Sequence, residues 1–106
     1  MTDKRIVLTT AGSREEAGKI ARALVERRLA ACVNVVAIDS VYRWRDKVEN
    51  APEWLLLVKT TAEALDDVEA AIRELHSYEL PECVALPIES GSEEYLEWIG
   101  ENVGIE

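Results

Sequence analysis

Two rhythms of apolar residues alternate along the chain. From Arg5 to Thr10 the residues are apolar and β-branched without helical spacing, which predicts a short strand buried on both faces. Ser13 with Glu16 then predicts a capping box, each side chain satisfying a backbone donor at a helix start. Ala17, Ile20, Ala21, Leu24 and Leu29 follow at three-to-four spacing, and Arg27 and Arg28 fall in the expected last turn, where cations suit the helix dipole. Ala31 to Trp44 is rich in Val, Ile, Tyr and Trp and free of Pro and Gly, so it predicts one strand well beyond the usual length of about five or six residues. Asp46 to Asn50 carries turn chemistry and Trp54 to Thr60 reads as a returning strand, so the pair forms an antiparallel hairpin with a polar tip.

Thr60 with Glu63 predicts a second capping box, and Leu65, Val68, Ile72 and Leu75 supply the stripe of a second helix that ends near His76. Pro81 disfavours helix before it, and Cys83 to Ile88 reads as a fourth strand in which Pro87 suits an edge or a bulge. Ser92 caps a short terminal helix bearing Leu96, Ile99 and Val103. The order βαββαβ predicts an α+β, ferredoxin-like sandwich over a single domain, residues 1–106, with an extended hairpin between its second and third strands. Right-handed crossovers put both helices on one sheet face and leave the other apolar and open. Such a face, and the unpaired edges of a projecting hairpin, predict self-association.

Charge narrows the partners. Lys and Arg number 12 against 21 Asp and Glu, a formal net charge of −9 that repels phosphate backbones, so nucleic acid is not an expected partner. No stretch approaches the roughly 20 apolar residues that span a bilayer, and Met1 to Arg5 lacks a signal-peptide layout. The expected address is therefore the cytoplasm, without membrane association. Cys32 and Cys83 form no CxxC motif and read as free thiols, small apolar residues on strands unless they ligate a metal. No nucleophile with a base, phosphate-binding Gly loop or isolated carboxylate pair has a recognisable layout, and the chain is not expected to be an enzyme.

Several fragments then form an ordered set: Leu29-Ala30-Ala31-Cys32 with Val33-Asn34, Ser40-x-Tyr42-x-Trp44, Lys59-Thr60, Leu75-His76-x-Tyr78-x-x-Pro81-Glu82, and Tyr95-Leu96-x-Trp98. Together they cover nearly the whole chain and resemble the CutA family, the divalent-cation tolerance proteins. The resemblance implies a ferredoxin-like protomer in a tight homotrimer, an architecture like that of PII signalling proteins, and a link to tolerance of copper and other divalent cations. Two positions depart from the family pattern. Asp46 stands where Gly is usual, which alters the hairpin turn, and Ser77 stands where Pro is usual, which loosens the backbone beside His76 and Tyr78.

Two candidate sites follow. Copper favours thiolate and imidazole, which makes Cys32, Cys83 and His76 the candidate metal ligands. A single protomer offers no compact arrangement of them, and the two cysteines fall on opposite sheet edges, so such a site would be assembled between subunits. His76, at a helix end, also reads as a capping cation. The second site is an inter-subunit cleft with Tyr42, Trp44 and Trp54 as an aromatic wall and Lys59, Tyr78 and Glu82 as convergent polar groups. The same aromatics read equally as interface packing, and Lys59 with Glu82 as a plain ion pair. Three functions compete: a trimer that binds divalent metal ions such as copper, a PII-like sensor of a small molecule, and a trimeric scaffold. None requires a resident cofactor.

Overall fold

The computed structural model describes residues 2–104. The elements run β1 (Lys4–Ala11), α1 (Arg14–Glu26), β2 (Cys32–Trp44), β3 (Lys47–Thr61), a 3₁₀ turn (Ala62–Ala64), α2 (Leu65–Leu75), β4 (Val84–Pro87) and α3 (Glu93–Glu101). The strands form one antiparallel sheet in the order β2-β3-β1-β4. This is the expected βαββαβ order, and Pro87 does sit on an edge strand, paired only with Arg5 of β1.

Register decides what each sheet face does, because alternate residues of a strand point to opposite faces. Val7, Thr9 and Ala11 of β1 share a face with Val58, Leu56 and Trp54 of β3. That face packs against Ala17, Ile20 and Leu24 of α1 and Val68, Ala71 and Ile72 of α2, making the core. The opposite face carries Ile6 and Leu8, their partners Leu57 and Lys59, Leu55 and Val36 beyond, and Leu86 and Val84 on the far edge. Val36, Val84 and Leu86 are 45–48% exposed. One face is therefore core, and the other is apolar and partly exposed, with Ile6, Leu8, Leu55 and Leu57 half-buried.

β1 stops pairing with β3 at Trp54, so Lys47–Glu53 of β3 pairs with Ile38–Trp44 of β2 alone. The resulting two-stranded ribbon gives the molecule extents of 44 × 25 × 21 Å. Its reversal is shorter than the sequence suggests. Only Arg45 and Asp46, at φ 52° and 68°, lie between paired Trp44 and Lys47, a type I′ geometry that needs two left-handed residues. Residues 47–50, expected as turn, are strand.

Helix ends bring the other corrections. Helix α1 stops at Glu26, so Arg27 and Arg28 lie beyond its last turn, and Leu29 packs on the core from outside the helix. Arg28 takes φ 59°, and the Arg28 and Leu29 N–H groups donate to the carbonyls of Val25 and Leu24, a Schellman end made without glycine. The Arg28 guanidinium in turn donates to the carbonyls of Glu101 (2.9 Å) and Gly104 (2.7 Å), where a cation suits the C-terminus of α3. The expected Thr60–Glu63 capping box is not made. Thr60 lies inside β3, fully buried, and its hydroxyl donates to the Leu29 carbonyl at 2.7 Å. Ser13 and Ser92 do cap, accepting from the N–H groups of Glu16 and Tyr95.

Candidate functional site

Where the ribbon leaves the sheet, the segment between α2 and β4 crosses the end of β1. The two enclose a cleft of about 750 Å³. Ser40, Val41, Tyr42 and Trp44 of β2 form one wall, Thr10 and Glu53 the floor, and Tyr78, Glu79, Leu80 and Glu82 the other wall. Four of the six expected cleft residues are thus brought together: Tyr42, Trp44, Tyr78 and Glu82. Trp54 instead faces the core, opposite Ala37 and Ala11, whose small side chains leave room for the indole. Lys59 lies on the open sheet face, bonded to the Asn34 side-chain oxygen, and makes no ion pair with Glu82 among the described residues.

The crossing segment is held by a chain of polar contacts. The fully buried His76 ring bonds the Thr10 carbonyl through Nε2 and accepts the Tyr78 N–H (3.1 Å) at Nδ1, which fixes the neutral Nε2–H tautomer. His76 is therefore a buried connector rather than a capping cation. The Glu16 carboxylate does not reach back to its own helix start as a capping box requires. It accepts instead from the Ser77 N–H (2.7 Å) and hydroxyl (3.0 Å). Ser77 thus anchors the segment through its hydroxyl and through an N–H that proline at this position would lack.

The Tyr78 hydroxyl donates to Glu53 Oε2 at 2.6 Å. Gly12 leaves room beside the hydroxyl, since a Cβ there would lie 3.0 Å from it, a tight contact. Burial first, then the hydrogen bond to the Glu53 carboxylate, pushes the Tyr78 phenol well above its ordinary range. Burial, with the Glu53 charge nearby, also raises the Glu82 carboxyl. Glu53 itself is 8% exposed, and among the described residues its second oxygen has no hydrogen-bond partner. Sequence reading missed Glu53, Asp39 and Glu79 here. A glutamate at the end of the polar hairpin segment carries no local sign that a tyrosine 25 positions away covers it.

The candidate metal ligands are dispersed. Cys32 starts β2 on the open face, at one sheet edge, and Cys83 precedes β4 at the other. Three strand spacings separate those edges, roughly 14 Å. Burial, reinforced by the Glu69 carboxylate, pushes the Cys83 thiol up, which disfavours the thiolate a metal would need. Both His76 nitrogens are engaged. Among the described residues no three His, Cys, Asp or Glu side chains converge as a metal site would require.

Comparison with known proteins gives a consistent answer. The family pattern described as "CutA1 divalent ion tolerance protein" matches residues 5–102. A "Divalent-cation tolerance protein CutA" of Thermus thermophilus is 51% identical over 102 residues, covering 95% of this chain and 99% of that one. Its namesake of Archaeoglobus fulgidus is 44% identical, with 92% and 95% covered. Among solved structures, the Thermus thermophilus protein superposes with a TM-score of 0.93 at 51% identity, covering 95% and 99% of the two chains. CutA of Xylella fastidiosa gives 0.94 at 36% identity, covering 97% and 100%.

Proposed function

Because the chain belongs to the CutA1 divalent ion tolerance family, we propose that it acts in divalent-cation tolerance as a non-catalytic homotrimer that binds ions such as copper between its subunits. The observation that carries this reading is the partly exposed apolar face of the sheet, on which Val36, Val84 and Leu86 are exposed. Ile6, Leu8, Leu55, Leu57, Val36, Val84 and Leu86 form an apolar surface on it. A two-stranded ribbon, marginal by itself in water, projects beside that surface with both edges unpaired among the described residues. Association covers both features at once. It also offers the only route by which Cys32 and Cys83, on opposite edges, meet in one metal site: edge against edge, from different subunits. Binding there displaces a thiol proton, so affinity rises with pH.

Native mass spectrometry of the metal-free protein, titrated with Cu(II), Cu(I) and Zn(II), tests the proposal. A trimer that binds copper at fixed stoichiometry, lost in Cys32→Ser, supports it, and a monomer overturns it. A second reading rests on a separate observation, the aromatic-walled cleft of about 750 Å³ with the buried Tyr78–Glu53 pair at its floor. That volume suits a small molecule. A trimer without specific copper, stabilised by a small ligand, would favour this reading over metal binding.

A further inference from the structure

We infer that His76 is a proton-operated latch on the cleft: the neutral ring holds the Tyr78 wall in place, and protonation hands Nδ1 from the Tyr78 N–H to the Glu16 carboxylate and releases that wall. The use of the latch rests on the cleft being a small-molecule site, whereas its working rests on geometry alone. His76 is the one histidine in the chain, and its side chain is fully buried. Both ring nitrogens are bonded within the chain, Nε2 donating to the Thr10 carbonyl and Nδ1 accepting the Tyr78 N–H at 3.1 Å, so the ring is no metal ligand. That pair of bonds exists only for neutral imidazole. An imidazolium donates from both nitrogens, and its Nδ1–H would face the Tyr78 N–H, donor against donor.

A second acceptor stands beside Nδ1. Glu16 Oε2, on α1, lies 3.6 Å from it, and among the described residues Glu16 is the one carboxylate within ion-pair distance of the ring. Oε2 accepts the Ser77 N–H at 2.7 Å and has a further lone pair, so it can take Nδ1–H without giving up Ser77. Closing to the roughly 2.8 Å of a charge-assisted bond moves the ring by less than about 1 Å. The other neighbours do not compete for the proton. β1 presents the uncharged Thr10 carbonyl, and on α2 the charged side chains nearest in sequence, Arg73 and Glu74, are paired with Glu69 and Arg27. The Tyr78 ring lies 4.6 Å from the imidazole between centroids, and beyond it Glu53 of β3 holds the Tyr78 hydroxyl at 2.6 Å. The N–H set free and the hydroxyl on Glu53 belong to one residue, which lines the cleft with Glu79 and Leu80 directly after it. Turning its peptide away from an imidazolium therefore moves this wall against the β2 wall that carries Tyr42 and Trp44.

The intact, nitrogen-15-labelled protein tests the latch without any ligand, from about pH 8 to about pH 5, where imidazoles ordinarily titrate. With a single histidine the ring signals assign themselves, and at the upper limit they should show the Nε2–H tautomer. Ring protonation, the shift of the Tyr78 amide and the shift of the Trp44 indole N–H, assigned with Trp44→Phe, should share one midpoint. Glu16→Gln keeps an oxygen for Ser77 but removes the charge, and should carry all three midpoints together to lower pH. His76→Gln should abolish the Tyr78 and Trp44 shifts, and Glu16→Gln decides if that variant does not fold. The carboxylates Asp39, Glu53, Glu79 and Glu82 line the cleft with Trp44. Glu82→Gln is therefore the control: burial and the Glu53 charge raise that carboxyl, and its removal should leave the shared midpoint in place. A ring that protonates while the Tyr78 amide stays still overturns the latch. So does a Trp44 midpoint different from that of the ring, or a ring that stays neutral in the folded protein throughout. In each of those cases the cleft stands or falls as a ligand site separately, on stabilisation by a small ligand.

Discussion

Replacing Tyr78 by Phe removes one oxygen and keeps the ring. In the wild-type protein that oxygen donates to Glu53 at 2.6 Å, and Glu53 is 8% exposed. A hydrogen bond to a charged, buried acceptor contributes about 1.5–3 kcal/mol, most of it the desolvation cost of leaving the acceptor bare. Tyr78→Phe should therefore lower unfolding free energy by about 2 kcal/mol at pH 7. The loss must also depend on pH. The folded Tyr78 phenol titrates above its unfolded value of 10.0. Its contribution is thus fully present below pH 10 and is lost as pH rises through the higher folded value. The greatest possible slope is about 1.4 kcal/mol per pH unit, and the half-buried position of the ring makes it smaller.

Urea unfolding followed by far-ultraviolet circular dichroism, at one fixed protein concentration because association adds a concentration-dependent term, measures both effects. The gap between wild type and variant should be about 2 kcal/mol at pH 7 and should narrow above pH 10. Tyr42→Phe, at a residue that is 43% exposed, is the control and should change stability by less than about 0.5 kcal/mol. A Tyr78→Phe gap below that figure at pH 7, or one that stays constant to pH 11, would refute the argument that this pair is buried and bonded.

Three further outcomes are expected. Asp46→Gly should raise stability by about 0.5–1 kcal/mol in the same assay, because position 46 holds φ 68° and glycine adopts it without strain. Ile72→Ala, in the fully buried stripe of α2, should cost about 2–5 kcal/mol, read as an earlier unfolding midpoint. Glu82→Gln should stabilise the protein at pH 7 by less than about 1 kcal/mol. Its carboxyl is raised by burial and by Glu53, so the folded state disfavours the charge. The gain should fall away as pH drops below the unfolded value of 4.5 and vanish near pH 3, where the wild-type carboxyl is protonated folded or unfolded.

The sequence by itself determined the order of elements, the long second strand, the caps at Ser13 and Ser92 and the edge position of Pro87, because each rests on spacing or on the chemistry of one residue and its near neighbours. It also carried the family, through an ordered set of short motifs. It misplaced the end of α1, because Arg28 takes a left-handed turn with no glycine to announce it and is held by carbonyls at Glu101 and Gly104, more than 70 residues away. It assigned Thr60 to a helix cap, since only the packing of β3 directs that hydroxyl to Leu29. Tertiary structure alone decided that Glu53, not Lys59, belongs with Tyr78, and that Trp54 turns to the core while Trp44 lines the cleft. Strand register set those outcomes: on β3, Glu53 and Trp54 are adjacent in sequence and fall on opposite faces, so one residue of register separates the cleft from the hydrophobic core.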